Sequence, residues 1–379
     1  MLRCEICGRK MEEHALPWRC PCGGPLACEP AAFNYAPEPL LPGLWRYASS
    51  LPVADPKKAL HLGEGMTPLV PVNWDYGAGK AEILCKMDTL NPSGSYKDRG
   101  AAVALSRLRE LGLTKLVEDS SGNAGAAVAA YAAAAGIACD IFVPASASEG
   151  KCVQIAAYGA RLRRIPGPRE AAAAAAEAAA QSDYYAGHNW NPYFPEGVKT
   201  YAFEIFEQLG DQAPDNIIVP AGQGSLVSGA WKAFSEIAAA GKSARMPRIF
   251  GIQSAHCAPL HQAWKNGDAA IRPFEKKPTI AEGIASAFPV RPSTVLQAAR
   301  GSKGAFAAVK EVEIWAAFEK LARAGIYVEP TSATALAGLS RLWEEGAIRP
   351  GECTVALLSG IGLKATDKIL ELRARPESL

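Results

Sequence analysis

From residue 83 to residue 358 the chain alternates short apolar runs with helix-length segments, and few folds satisfy that rhythm. Strands are predicted over 83–86, 116–118, 138–143, 161–165, 184–186, 216–219, 248–253 and 354–358. Helices are predicted over 101–111, 124–135, 151–158, 169–181, 197–209, 226–239, 313–324 and 332–345. The run 169–181 is nearly all alanine, the strongest helix former, with Glu170 and Glu177 keeping one side polar. Strands joined through helices of this length form parallel sheets covered on both faces. A chain of 379 residues exceeds what one core comfortably holds. The expected class is α/β: two parallel-sheet, three-layer domains with a cleft between them.

Composition narrows the function. Apolar residues make up 49% and charged residues 21%, ordinary values for a globular protein. A net charge of +2 argues against a nucleic-acid or anionic-membrane partner. No apolar run approaches the roughly 18 residues of a membrane span. Met1-Leu2-Arg3-Cys4 is not an apolar leader, so a cytoplasmic protein is expected.

In that compartment the ten cysteines read as metal ligands or core, not as disulfides. Cys4, Cys7, Cys20, Cys22 and Cys28 crowd into the first 28 residues, while the other five are scattered and read as core. Cys4-x2-Cys7-Gly8 and Cys20-Pro21-Cys22-Gly23 look like the two knuckles of a structural zinc ribbon, each closed by a glycine that lets backbone N–H groups approach the thiolates. The second knuckle is one residue shorter than usual, which leaves Cys28 and His14 as further candidate ligands. Arg3, Arg9, Lys10 and Arg19 are offset by Glu5, Glu12 and Glu13, against a nucleic-acid role. The Pro-rich stretch 30–56 reads as an extended arm lying on the main body, because Trp45 and Tyr47 within it need burial.

Four turns carry the chemistry. Asn91-Pro92-Ser93-Gly94-Ser95-Tyr96-Lys97 delivers a lysine to the first turn of a helix, where the positive end of the dipole favours the uncharged amine that condenses with aldehydes. Ser120-Ser121-Gly122-Asn123 stands between a strand and a helix, suited to helix capping and to anion binding by the same free N–H groups. Gly222-Gln223-Gly224-Ser225-Leu226 also leaves a strand and opens a helix, the context of a phosphate cradle. Ser359 ends the last strand, just before Gly360-Ile361-Gly362.

These motifs, in this order, resemble those of the threonine synthase family of fold-type II pyridoxal-phosphate enzymes. The resemblance runs from about Cys4 to Lys364 and includes His61-Leu62-Gly63-Glu64-Gly65-Met66-Thr67-Pro68-Leu69. It implies pyridoxal 5′-phosphate on Lys97, with Asn123 donating to the cofactor's 3′-oxygen and Ser359 bonding its ring nitrogen. It also implies that Gly222, Gln223, Gly224, Ser225 and Leu226 hold the phosphate and that Ser120, Ser121 and Gly122 hold the substrate carboxylate. A serine facing the nitrogen favours elimination and replacement over transamination. The implied organisation is a ribbon-like segment over 1–30, an arm over 31–60, a large cofactor domain over 61–95 and 195–379, and a small domain over 96–194. Cys4, Cys7, Cys20 and Cys22 would hold zinc, and the enzyme would be a homodimer acting on an amino acid.

One segment departs from the family. His188-Asn189-Trp190-Asn191-Pro192-Tyr193-Phe194 lies where relatives usually have a serine at the position of Asn189 and a phosphate-binding arginine at that of Phe194. Phenylalanine cannot make the bidentate contact that arginine makes with phosphate. Lys199 and His188 are nearby basic residues that could take over that task. Thr279-Ile280-Ala281-Glu282-Gly283-Ile284-Ala285 reads more like dehydratases and ammonia-lyases. The expectation is a threonine-synthase-like lyase, with conversion of phosphohomoserine to threonine still open. The alternative is an ammonia-lyase, dehydratase or β-replacement enzyme acting on a serine- or threonine-like or diamino-acid substrate. A non-catalytic protein using its ribbon to bind partners is the reading from another class.

Overall fold

The computed structural model describes residues 1–29, 34–75, 79–147 and 149–374. Pro30 and the first residues of the arm, 31–33, lie outside this set. The chain divides into two compact units: Met1–Gly65 with Asn91–Thr200, and Met66–Leu90 with Tyr201–Leu379.

The strands in chain order are β1 Leu2–Cys4, β2 Lys10–Met11, β3 Leu26–Cys28, β4 Leu69–Asp75, β5 Lys80–Lys86, β6 Lys115–Glu118, β7 Ala138–Pro144, β8 Arg161–Ile165, β9 Tyr184–Tyr185, β10 Asn216–Pro220, β11 Arg248–Ser254, β12 Ala305–Val309 and β13 Thr354–Leu357. The helices used below are α1 Lys97–Glu110, α2 Asn123–Ala135, α3 Glu149–Ala157, α4 Arg169–Ala179, α5 Phe194–Val198, α6 Thr200–Gln208 and α7 Ser225–Ala239.

The first unit holds a small antiparallel sheet, β2-β1-β3, and a parallel four-stranded sheet ordered β8-β7-β6-β9. Strand β8 forms an edge and carries Arg161, Arg163 and Arg164, charges that discourage pairing with another chain. Arg161 and Arg163 both bond the carboxylate of Asp140 on β7, at 2.7 and 3.2 Å. The arm's aromatics are buried: Trp45 donates to the Leu60 carbonyl and to Glu64, each at 2.9 Å, and Tyr47 stacks on Tyr35. Glu64 also accepts from Tyr131 on α2 at 2.6 Å, so one buried carboxylate ties the arm to that helix.

The second unit is one six-stranded sheet, β12-β11-β10-β13-β5-β4. Five strands are parallel, and β10 and β13 are buried along their whole length, as strands covered on both faces must be. The edge strand β4 is antiparallel and alternates buried with exposed residues, a departure from an all-parallel sheet. Pro71, which cannot donate to a ladder, obscures this strand in the sequence and is tolerated because the strand is an edge. Ile218, Ile252, Phe318, Leu336, Leu339 and Trp343 centre the core on one side of the sheet. Each such side chain contributes about 1.5–3 kcal/mol on burial. At the end of β5, Lys86 is fully buried, 2.6 Å from Glu204 and 2.8 Å from Gln208 of α6.

The helix predicted over 197–209 is in fact two, α5 and α6, with the junction at Lys199. No helix among the described residues is long and apolar enough to cross a membrane.

Candidate active site

In the first unit, the turn before Lys97 is tied down from two sides. Asp98 accepts from the backbone N–H and the hydroxyl of Ser93, at 2.9 and 3.0 Å, and Gln154 of α3 donates to the Ser93 carbonyl at 3.1 Å. Lys97 thus enters α1 as its first residue, half-buried, with Nζ 4.7 Å from the Tyr96 ring centroid and 5.6 Å from that of Phe194.

Phe194 opens α5 and is buried against α1. A Cβ at Gly100 would lie 2.4 Å from its ring, so only glycine permits this approach. Asn191 accepts from the backbone N–H groups of Tyr193 and Phe194, at 2.9 and 3.2 Å, and so sets where α5 begins. Asn191 was not among the residues singled out by motif, although its Asn-Pro pair is a turn signal.

His188 packs edge-on to the Phe194 ring, 5.7 Å between centroids, and its Nδ1 is 3.0 Å from Oε1 of Glu118. Both side chains are buried, Glu118 completely. Burial, with Asp119 adding to it, pushes the Glu118 carboxyl well above the usual carboxylate range. Burial also holds His188 well below its ordinary value, and the positive charges of Lys97 and Arg169 reinforce the shift. Glu118 carries no motif signal, being simply the last residue of β6.

Lys199 and His188 are therefore poor replacements for a phosphate-binding arginine. The Lys199 amine is fully buried and 2.8 Å from Glu196, and His188 is held uncharged. Arg169, exposed at the start of α4, is the cation besides Lys97 that acts on the His188–Glu118 pair. Ser120, Ser121, Gly122 and Asn123 lie at the N-terminus of α2, with the Gly122 N–H donating to Ser120 Oγ at 3.3 Å. Asn189 is half-buried, next to His188.

In the second unit, Gly222 to Leu226 leaves β10 and opens the 15-residue helix α7. Gly224 has φ +83°, a left-handed conformation that favours glycine, and α7 begins at the next residue. The Gln223 side chain donates to Ser286 Oγ at 2.7 Å and accepts from the Val290 N–H at 2.8 Å. Both bonds brace the loop, so the Gln223 side chain is committed within the protein. Ser359 is buried with its hydroxyl 3.0 Å from that of Ser332, which in turn accepts from the Gly360 N–H at 2.8 Å. Ser332 is a second residue that motif reading missed.

At the N-terminus the sulfurs of Cys4, Cys7, Cys20 and Cys22 all lie within 4.8 Å of one another, with Cys4–Cys22 at 3.5 Å and Cys7–Cys20 at 3.7 Å. A Cβ at Gly24 would sit 2.7 Å from Cys4 Sγ, so glycine is what brings the second knuckle close. Cys28 stands apart, donating to the Pro192 carbonyl at 3.5 Å. The short second knuckle has thus not displaced Cys22 in favour of Cys28.

The family model for pyridoxal-phosphate dependent enzymes matches residues 60–360. Threonine synthase of Methanocaldococcus jannaschii is 36% identical over 385 aligned positions, covering 99% of this chain and 95% of that protein. The chain belongs to the threonine synthase family of pyridoxal-phosphate dependent enzymes. Threonine synthase of Bacillus sp. (strain ULM1) is 37% identical, covering 86% of the chain and 90% of the relative. Among solved structures, a fungal L-serine ammonia-lyase from Rhizomucor miehei superposes with a TM-score of 0.70 at 22% identity, over 81% of this chain and 98% of that one. That likeness shows the fold alone. Membership makes the protein a pyridoxal-phosphate-dependent lyase of amino-acid metabolism, working by elimination or replacement on an amino-acid substrate. The donor chemistry fits the cofactor: a glycine turn opening α7 for a phosphate, a buried hydroxyl at Ser359, and a lysine amine at the start of α1.

Proposed function

We propose that Lys97 carries the cofactor, that Asn123 and Ser359 meet its ring, and that the turn Gly222–Leu226 takes its phosphate through backbone N–H groups. Ser120, Ser121 and Gly122 hold the substrate carboxylate, with Asn189, His188 and Phe194 beside the substrate's side chain. When bound, the cofactor withdraws electrons from the substrate's α-carbon and makes its proton removable. The Lys97 amine takes that proton. The reaction is a threonine-synthase-type elimination or replacement whose leaving group is a hydroxyl or an amine.

The observation that carries this choice is the surroundings of Lys97. An apolar ring stands at Phe194, His188 is held uncharged, and Lys199 is spent on Glu196. A second reading keeps a phosphate ester as substrate, and Arg169 favours it as the exposed cation acting on His188 and Glu118. A screen of holoenzyme that follows phosphate, ammonia and oxo-acid release in parallel separates the two. Ammonia and oxo-acid should dominate with hydroxy- and diamino-acids. Faster phosphate release from O-phosphohomoserine, lost in Arg169→Ala, would establish the second reading instead. Borohydride reduction and peptide mapping should place the cofactor on Lys97, and a label on another lysine would sink the assignment.

The ribbon-like segment holds structural zinc on the same proposal. Zn–S bonds of about 2.3 Å in a tetrahedron require sulfurs about 3.8 Å apart, close to the observed spacing. A homodimer in the cytoplasm completes the proposal, and sedimentation of the purified holoenzyme tests the assembly.

A further inference from the structure

Glu118 has no task in the reading above, yet it is completely buried and feels the charge of Lys97. Its Oε1 meets Nδ1 of His188 at 3.0 Å, and its Oε2 has no hydrogen-bond partner among the described residues. A carboxylate left in that state would be costly, because one oxygen is buried from water with no hydrogen bond in its place. A carboxylic acid fits: its proton lies on the bond to Nδ1, and the remaining oxygen needs much less solvation. A donor into Nδ1 places the imidazole's own proton on Nε2. His188 and Lys97 lie against the same ring, that of Phe194, at 5.7 and 5.6 Å. The charged groups acting on the pair are Asp119, Lys97 and Arg169, and Tyr185 and Cys139 also face Glu118. The His188 backbone N–H favours the carboxylate but is outweighed by burial and Asp119.

We propose that Glu118 and His188 form a proton relay that supplies the leaving group. Resting on the elimination reading, it names the substrate class as amino acids whose leaving group must be protonated, namely hydroxyl or amino. As the carbon–heteroatom bond breaks, its electron pair stays on the heteroatom, which takes the proton from His188 Nε2. The Glu118 proton passes to Nδ1, leaving a carboxylate on Glu118 and a neutral imidazole on His188. The α-proton held by Lys97 balances that charge, and proton exchange with water restores both groups. Phosphate and chloride leave as stable anions and need no such donor. Glu118 acts through His188 and is a positioning and proton-supplying residue.

The test uses holoenzyme with L-serine, whose hydroxyl must be protonated, and β-chloro-L-alanine, whose chloride need not be. Glu118→Gln keeps the shape and removes the transferable proton. It should lower kcat for oxo-acid release from L-serine by on the order of 100-fold, with KM little changed, and leave β-chloro-L-alanine within about threefold. Equal losses with both substrates, or none with serine, would overturn the relay. So would wild-type turnover of β-chloro-L-alanine without turnover of L-serine or 2,3-diaminopropionate, which would leave elimination itself intact. Independently of turnover, the ¹⁵N shifts of His188 in wild-type protein should show a neutral ring protonated on Nε2. An Nδ1-protonated ring or an imidazolium at neutral pH would overturn the relay even if the enzyme is an active lyase. Failure of wild type with both substrates and with 2,3-diaminopropionate would reject the elimination reading and the relay with it.

Discussion

The hydroxyl of Ser359 does not stand alone, and its neighbour decides what it can do. Ser332 accepts the Gly360 N–H at 2.8 Å and has one proton to give, either to Ser359 Oγ at 3.0 Å or to the Gly360 carbonyl at 3.1 Å. A Ser359 that accepts from Ser332 keeps its own proton free for a partner elsewhere. Ser332→Ala should therefore act twice. It strands the buried Gly360 N–H, costing about 1–3 kcal/mol, which chemical denaturation of the apoprotein would register. It also frees Ser359 to rotate, so Ser332→Ala and Ser359→Ala should each slow turnover, by roughly 10- to 100-fold for a lost positioned hydrogen bond. The double variant should be little worse than the worse single one. Fully additive losses would mean that the two hydroxyls act independently.

At the scale of elements, the approach of α5 to α1 sets where Phe194 stands. Gly100→Ala puts a methyl group 2.4 Å from the ring, so the helix pair must part or the ring must turn. The expected cost is about 1–3 kcal/mol, typical of overpacking. Phe194→Leu in the same chain should recover part of it by freeing space. If the double variant is as unstable as Gly100→Ala alone, the clash is not the cause. The ribbon makes a second element-scale case. Trp18, between the knuckles, packs edge-on against Tyr185 and Trp190, at 4.8 and 5.8 Å, and Tyr185 donates to Asp119 at 2.9 Å. Metal loss should therefore reach the segment that carries His188. Elemental analysis should find about one zinc per chain, absent in Cys4→Ala, and that variant should melt at a lower temperature. Wild-type protein prepared without chelator that contains no zinc would refute the metal reading.

Across the molecule, acid should unfold the protein through carboxylates held by arginines. Burial alone would raise Asp140, but its hydrogen bonds to Arg161 and Arg163 outweigh that and hold it below the usual carboxylate range. Glu13 is lowered in the same way by Arg107 and by the N-terminal amine, and Glu352 by Asn216, the Arg349 N–H and Arg248. A carboxyl lowered by folding binds its proton more weakly in the folded state. Its stabilisation is therefore complete above the unfolded value and is lost as pH falls through the folded one. Melting temperature should fall as pH drops below about 4, and Asp140→Asn should flatten part of that dependence. An unchanged profile in Asp140→Asn would show that the Arg161–Asp140–Arg163 cluster adds nothing to acid stability.

The sequence alone determined the features that depend on local order. Strand–helix alternation specified the α/β class, the glycine turn at 222–224 marked the start of α7, and the order of the motifs named the family. Cys4, Cys7, Cys20 and Cys22 could be paired as knuckles because their spacing is short, whereas the exclusion of Cys28 required its bond to Pro192 to be seen. The tertiary structure decided whatever depends on neighbours distant in the chain. Glu118 and His188 are 70 residues apart, and Ser332 and Ser359 are 27 apart, with no periodicity or motif linking either pair. Lys199 looks like an available cation in the sequence and is buried against Glu196 in the fold. Charge, protonation and hydrogen-bond direction at such groups follow from burial and partners, and a chain acquires both only by folding.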